Sequence, residues 1–197
     1  MRFAFCVEDR TDQEIFAVIL KRILGAPIEP YDTQYQFQSG GFGSALRLAK
    51  KVARRAAQDA LDGALFAIDN DGRPIHDDDR CGLAPCRVCQ LRRAAHTAEP
   101  LSWRREGTPS LRYLFAVPVQ TLETWLLLVR EQPPFSGKPE LVGVDRNGRK
   151  QLKRWLYNQE SPTRSQRLSI ALPLAERLVP QDLASKSQSF AQFFNQL

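Results

Sequence analysis

Phe3-Ala4-Phe5-Cys6-Val7-Glu8 and Leu65-Phe66-Ala67-Ile68-Asp69-Asn70-Asp71 decide how this chain folds. Each is a short apolar run that stops at a carboxylate. Runs of this length between polar segments predict strands covered on both faces. After the first comes a helical stripe over about residues 12–24, with Ile15, Phe16, Ile19, Leu20 and Ile23 on one side. A loop with Pro27 and Pro30 follows, then a short strand at Tyr35-Gln36-Phe37-Gln38. The turn Ser39-Gly40-Gly41-Phe42-Gly43 precedes a helix over about 44–61. Beyond the second run, 111–119 reads as a strand, 121–130 as a helix, and about 149–197 as a helical segment with turns near Ser161-Pro162 and Pro180. Strand and helix in alternation predict a mainly parallel sheet with helices on both faces. The chain, 1–197, is expected to be one domain carrying an irregular, cysteine-bearing insertion at about 72–108.

In an open α/β sheet, chemistry lies outside the carboxyl ends of the strands. Glu8-x-x-x-Asp12 and Asp69-Asn70-Asp71 would bring four carboxylates to that edge. Such charges repel unless a cation sits among them, and hard oxygen ligands favour Mg²⁺ or Mn²⁺. Asp69 and Asp71 share a face of an extended strand end, so both could hold one metal. Glu8 could bind a second metal or act as general base. Asp12 could reach back from the first turn of its helix, and Glu123 could complete the cluster. The competing readings are an ordinary Asn/Asp/Gly turn at 69–72 and a charge that favours a helix N-terminus at Glu123.

Bulk properties leave this open. The net charge is +6, which is compatible with a polyanionic partner. Basic residues gather at Lys50-Lys51, Arg54-Arg55 and Lys153-Arg154, the expected nucleic-acid contacts, or else solvated helix faces. Lys150 and Lys153 are candidates to neutralise charge in phosphate chemistry. No apolar stretch approaches the roughly 20 residues of a membrane span, and no signal-peptide pattern opens the chain. A cytoplasmic protein is expected.

A second constellation is Cys81-x4-Cys86-x2-Cys89, flanked by His76 and His96, the two histidines of the chain. In a reducing compartment this clustering favours metal over disulfides. The three thiolates with His76 as first choice, or His96 as the alternative, would form a structural Zn²⁺ site. The competing reading is three unliganded thiols in a surface loop. Cys6 reads as a small buried residue.

Val7-Glu8-Asp9-Arg10-Thr11-Asp12 with Ile68-Asp69-Asn70-Asp71-Gly72 resembles the Toprim domain of topoisomerases, primases and overcoming-lysogenization-defect nucleases. Asp9 departs from that pattern, where glycine is usual. Val117-Pro118-Val119-Gln120-Thr121-Leu122-Glu123-Thr124-Trp125-Leu126-Leu127 and Ser187-Gln188-Ser189-Phe190-Ala191-Gln192-Phe193-Phe194 are similar to segments of small stand-alone Toprim-like proteins. The resemblance implies a Toprim-like fold, with catalytic roles for Glu8, Asp12, Asp69, Asp71 and Glu123. It also implies a Mg²⁺- or Mn²⁺-dependent nuclease, working with an ATPase partner in bacterial phage defence. A non-catalytic interaction subunit with the same fold is the alternative. Primase-type nucleotidyl transfer is a third reading, but it would need template-binding domains that this length hardly accommodates.

Overall fold

A computed structural model of the chain describes residues 1–31, 41–71, 73, 75–77, 81, 86–97, 111–119, 121–130 and 146–197. Four strands, β1 (Arg2–Cys6), β2 (Glu29–Pro30), β3 (Gly63–Ala67) and β4 (Arg112–Ala116), form one all-parallel sheet in the order β2-β1-β3-β4. The helices among the described residues are α1 (Arg10–Leu24), α2 (Gly41–Gln58), α3 (Arg87–His96), α4 (Leu122–Val129), α5 (Arg146–Tyr157), α6 (Arg164–Arg177), α7 (Pro180–Lys186) and α8 (Gln188–Phe194). The expected parallel sheet with flanking helices and a helical C-terminal part is what the chain adopts.

Strand alternation sorts the core into two halves. Phe3, Phe5, Leu65 and Leu114 pack on one face against α1 and the C-terminal helices α4–α8. Ala4, Cys6, Phe66 and Phe115 pack on the other against α2 and α3. Successive side chains of a strand point to opposite faces, so both sets must be apolar, which explains the unbroken runs. Cys6 is a buried small residue, as expected, and burial pushes its thiol pKa far up.

Two expectations need correction. The second strand is Glu29–Pro30, where Pro27 and Pro30 had suggested only a loop. Proline is tolerated because β2 lies at the sheet edge among the described residues, and Glu29 N and Tyr31 N donate to Met1 O and Phe3 O, at 2.8 Å each. The strand expected at 35–38 lies outside the described residues. The insertion is also not wholly irregular. Its α3 buries Val88, Leu91, Ala94 and Ala95 in the second core half and lies in the connection from β3 to β4.

The C-terminal helices complete the first half of the core. Trp125 of α4 stacks on Phe193, meets Phe190 edge-on, and donates from Nε1 to Ser189 Oγ at 2.9 Å. Helices α4 and α8 therefore meet in space. Gln196 then covers the edge of β4 that pairs with no strand among the described residues. Its side chain accepts from Phe115 N at 2.8 Å and donates to Phe115 O at 3.0 Å, in place of a further strand.

One glycine is required by close approach. A Cβ on Gly63 would stand 2.3 Å from Cε1 of the buried Phe3 ring and 3.0 Å from the Arg112 carbonyl. Gly63→Ala should therefore cost about 2 kcal/mol through overpacking. In thermal unfolding that is a loss of roughly 4–8 °C for a chain of this size. An unchanged midpoint would show that Phe3 can move aside freely.

Candidate metal centres

The strand order places a topological switch between β1 and β3. The chain leaves β1 into α1 on one face and reaches β3 from α2 on the other, so a crevice opens between their carboxyl ends. Glu8 follows β1, Asp69 follows β3, and Glu123 lies in the first turn of the helix after β4. With Asp12 from the first turn of α1, these four carboxylates line one cavity of about 180 Å³.

Local structure explains each placement. Asp9 has an extended backbone (φ −143°) and N-caps α1, its Oδ1 accepting from Asp12 N at 2.9 Å. Glycine is thus not needed there, and the departure at Asp9 has a structural use. Past β3 the ladder continues, with Ile68 N donating to Ala116 O at 3.1 Å and Asn70 N to Pro118 O at 2.9 Å. Asp69 therefore stays in register with Leu65 and Ala67 and shares their face, where α1 and α4 stand.

Electrostatics favours a cation here. Burial, then the charges of Glu123, Glu8 and Asp12, hold the Asp69 carboxyl well above the usual range. Burial and Asp9 push Asp12 up to about 7, although Arg167 opposes them. Glu8 is likewise raised, chiefly by burial. Glu123 is 4% exposed, and its Oε1 is buried without a hydrogen-bond partner among the described residues. A buried carboxylate oxygen left unsatisfied is costly, and a hard cation is the ligand that would satisfy it. The donor set of Glu8, Asp12, Asp69 and Glu123 therefore fits Mg²⁺ or Mn²⁺.

Asp71 is the exception. At φ +48° it leaves the extended conformation, so the two-residue alternation that would align it with Asp69 ends. Its Oδ2 pairs with Arg87 Nη2 at 2.7 Å and its Oδ1 with Arg149 Nη1 at 2.8 Å. Asp69 and Asp71 were expected to share one metal; in this structure Asp71 is held by two arginines and is not among the residues that line the cavity with Asp69.

Three cations that the motifs did not single out as a set do line it, namely Arg149, Lys153 and Arg167. Arg167 of α6 donates from Nη1 to Asp9 Oδ2 and from Nη2 to Asp12 Oδ1, both at 2.7 Å. Burial alone would raise the Asp9 carboxyl, but the Asp12 amide and Arg167 outweigh it and hold it low. Of the expected basic contacts only Lys153 reaches the cavity. Lys150 and Arg154 both bind Glu160. Lys50, Lys51, Arg54 and Arg55 lie on the exposed side of α2, where Arg55 pairs with Asp59 at 2.6 Å.

The second centre is the cysteine cluster. The ligand atoms of His76, Cys81, Cys86 and Cys89 all lie within 4.8 Å of one another. His76 Nδ1 is 2.8 Å from Cys81 Sγ, 3.4 Å from Cys86 Sγ and 3.5 Å from Cys89 Sγ. Tetrahedral zinc with its usual bond lengths sets nitrogen and sulfur about 3.5 Å apart, so two of the three separations already match. Burial first, then the neighbouring thiols, pushes Cys89 up to about 12. Three thiolates this close need a cation. Asp77 N, directed at Cys81 Sγ at 3.4 Å, orients that sulfur. His96 is not part of the group. It is exposed and lies edge-on to Tyr113 at 5.2 Å. Elemental analysis of protein purified without added metal should find one zinc per chain, and about none after Cys86→Ser. Zinc-free wild-type protein with unchanged stability would contradict this centre.

Fold and site together define a three-layer α/β protein with an acidic cavity at its switch point and a His/Cys₃ group beside it. Comparison with family models, curated proteins and solved structures gives no match to this chain. Among the described residues no helix is long and apolar enough to cross a membrane.

Proposed function

We propose that the chain is a Mg²⁺- or Mn²⁺-dependent phosphodiester hydrolase of Toprim type acting on a nucleic acid. The observation that carries this reading is the convergence of Glu8, Asp12, Asp69 and Glu123 on one cavity, with the Glu123 oxygen unsatisfied and Lys153 and Arg149 beside them. A bound divalent cation supplies Lewis-acid stabilisation of phosphoryl oxygens and lowers the pKa of water. Asp69, Glu8 and Glu123 would hold it. Lys153 lines the cavity and forms no ion pair among the described residues; in this reading it would take a substrate phosphate and neutralise charge as the leaving oxygen departs. Arg167 keeps Asp9 and Asp12 in place. Through the family resemblance, this reading also carries a cytoplasmic setting and an ATPase partner in a phage-defence system.

The second reading is a non-catalytic subunit that keeps the fold. It draws support from Arg167 and Arg149, which already neutralise Asp12 and Asp71. Incubating DNA and RNA with the protein and Mn²⁺, alone and with a co-purified partner, separates the two. Cleavage that Lys153→Met lowers by about 10²-fold or more supports hydrolysis. Salt-dependent binding without cleavage, unaffected by Glu8→Gln, supports the subunit.

A further inference from the structure

The two centres are joined by one side chain. Arg87 opens α3 directly after Cys86, which caps that helix, and two residues before Cys89. One helical turn thus presents two thiols to the zinc group and a guanidinium to the acidic loop. Arg87 is 6% exposed and lies over the Phe42 ring at 5.0 Å. It donates to the Asp69 carbonyl through Nη1 and pairs with Asp71 through Nη2 at 2.7 Å.

That loop needs holding. Asp71 sits at positive φ, a conformation costly for a residue other than glycine, and Asp69 carries a carboxyl that burial and repulsion disfavour as a charge. Arg87 grips the backbone of one and the carboxylate of the other. His76, five residues beyond Asp71, is tied to the same helical turn through the cysteine group. A zinc ion joining His76, Cys81, Cys86 and Cys89 would fix the first turn of α3, and with it the origin of the Arg87 side chain.

We infer that Arg87 is a positioning residue that couples the zinc group to the acidic cavity, so that loss of zinc weakens divalent-cation binding at Glu8, Asp69 and Glu123. The coupling rests on the reading of that cavity as a cation site. Removing an outer partner of a metal ligand lowers metal affinity about 10–100-fold, and the same range applies here. Arg87→Lys keeps a charge for Asp71 but cannot fork to both groups, so it should fall between wild type and Arg87→Gln.

The test is Mn²⁺ titration followed by electron paramagnetic resonance, with zinc content and circular dichroism measured on each sample. Wild-type protein should bind Mn²⁺, and Arg87→Gln should retain its zinc yet bind Mn²⁺ about tenfold or more weakly. Zinc-depleted wild type with its helical signal intact should show the same loss, and depleting zinc from Arg87→Gln should add little to it. Equal Mn²⁺ affinity in wild type, Arg87→Gln and Arg87→Lys would overturn the coupling while leaving the cation site standing. Wild-type protein that binds no Mn²⁺ would overturn both. If Arg87→Gln does not fold, the Arg87→Lys and zinc-depletion arms decide: full affinity in both overturns the coupling.

Discussion

Asp69→Asn should raise the thermal midpoint of the protein in the absence of added Mg²⁺ or Mn²⁺ at pH 8, while lowering the proposed Mn²⁺-dependent cleavage by at least about 10²-fold. Both effects have one cause. The Asp69 carboxyl is recessed among Glu123, Glu8 and Asp12, and its charged form is disfavoured by burial and by those neighbours. Asparagine keeps the shape and removes the charge. Relief of desolvation and repulsion is worth on the order of 2 kcal/mol, or roughly 5 °C for this chain length. The sign with pH follows. Glu8, Asp12 and Asp69 all have folded-state pKa values raised above their unfolded ones, Asp12 to about 7. Their contribution to stability is fully present below the unfolded carboxyl range near 4 and is lost as pH rises through the folded values. Without added Mg²⁺ or Mn²⁺, wild type should be less stable at pH 8 than at pH 5, and Asp69→Asn should flatten that slope. A loss of stability on Asp69→Asn at pH 8 would recast the residue as a structural hydrogen-bond acceptor.

The second large effect is expected at Arg167. Its guanidinium joins α6 to the first turn of α1 by two bonds of 2.7 Å, one to Asp9 and one to Asp12. Arg167→Met would leave Asp12 beside Asp9, Glu8 and Glu123 with its main counter-charge gone. Removing one partner of a largely buried pair costs on the order of 3 kcal/mol, so chemical denaturation should show a midpoint lowered by a corresponding amount. Adding Asp12→Asn to the same chain should restore part of the loss, because the uncompensated charge is then absent. Two losses that simply add would mean that Arg167 stabilises by packing alone.

The sequence made some of this legible and hid the rest for physical reasons. β1 and β3 were readable because both faces of each are covered, which forces unbroken apolar runs. The carboxyl-edge position of Glu8 and Asp69 follows from parallel pairing and nothing else. The His/Cys₃ group was readable because its ligands are close in sequence and because cysteine and histidine are scarce in this chain. β2 was not, since two residues carry no period and its strand character comes only from pairing with β1. Helix α3 was legible only in part: Val88, Leu91, Ala94 and Ala95 mark its buried side at three-to-four spacing, but it is short and rich in arginine and polar residues. The Asp9 cap was within reach of the sequence, as an Asp immediately before a helical stripe. The partners of Asp71 and Asp12 were not: Arg149 and Arg167 are 78 and 155 residues away along the chain, and no local pattern announces such pairs.

The proposed chemistry requires a divalent cation in the acidic cavity. Anomalous diffraction from a crystal soaked in Mn²⁺ tests it most directly. The expected result is a manganese peak between the strand ends, with oxygens of Asp69 and of Glu8 or Glu123 at about 2.2 Å. A peak held by Asp71 and surface carboxylates, or an empty cavity in which Lys153 or Arg149 has closed onto Glu123, would contradict it.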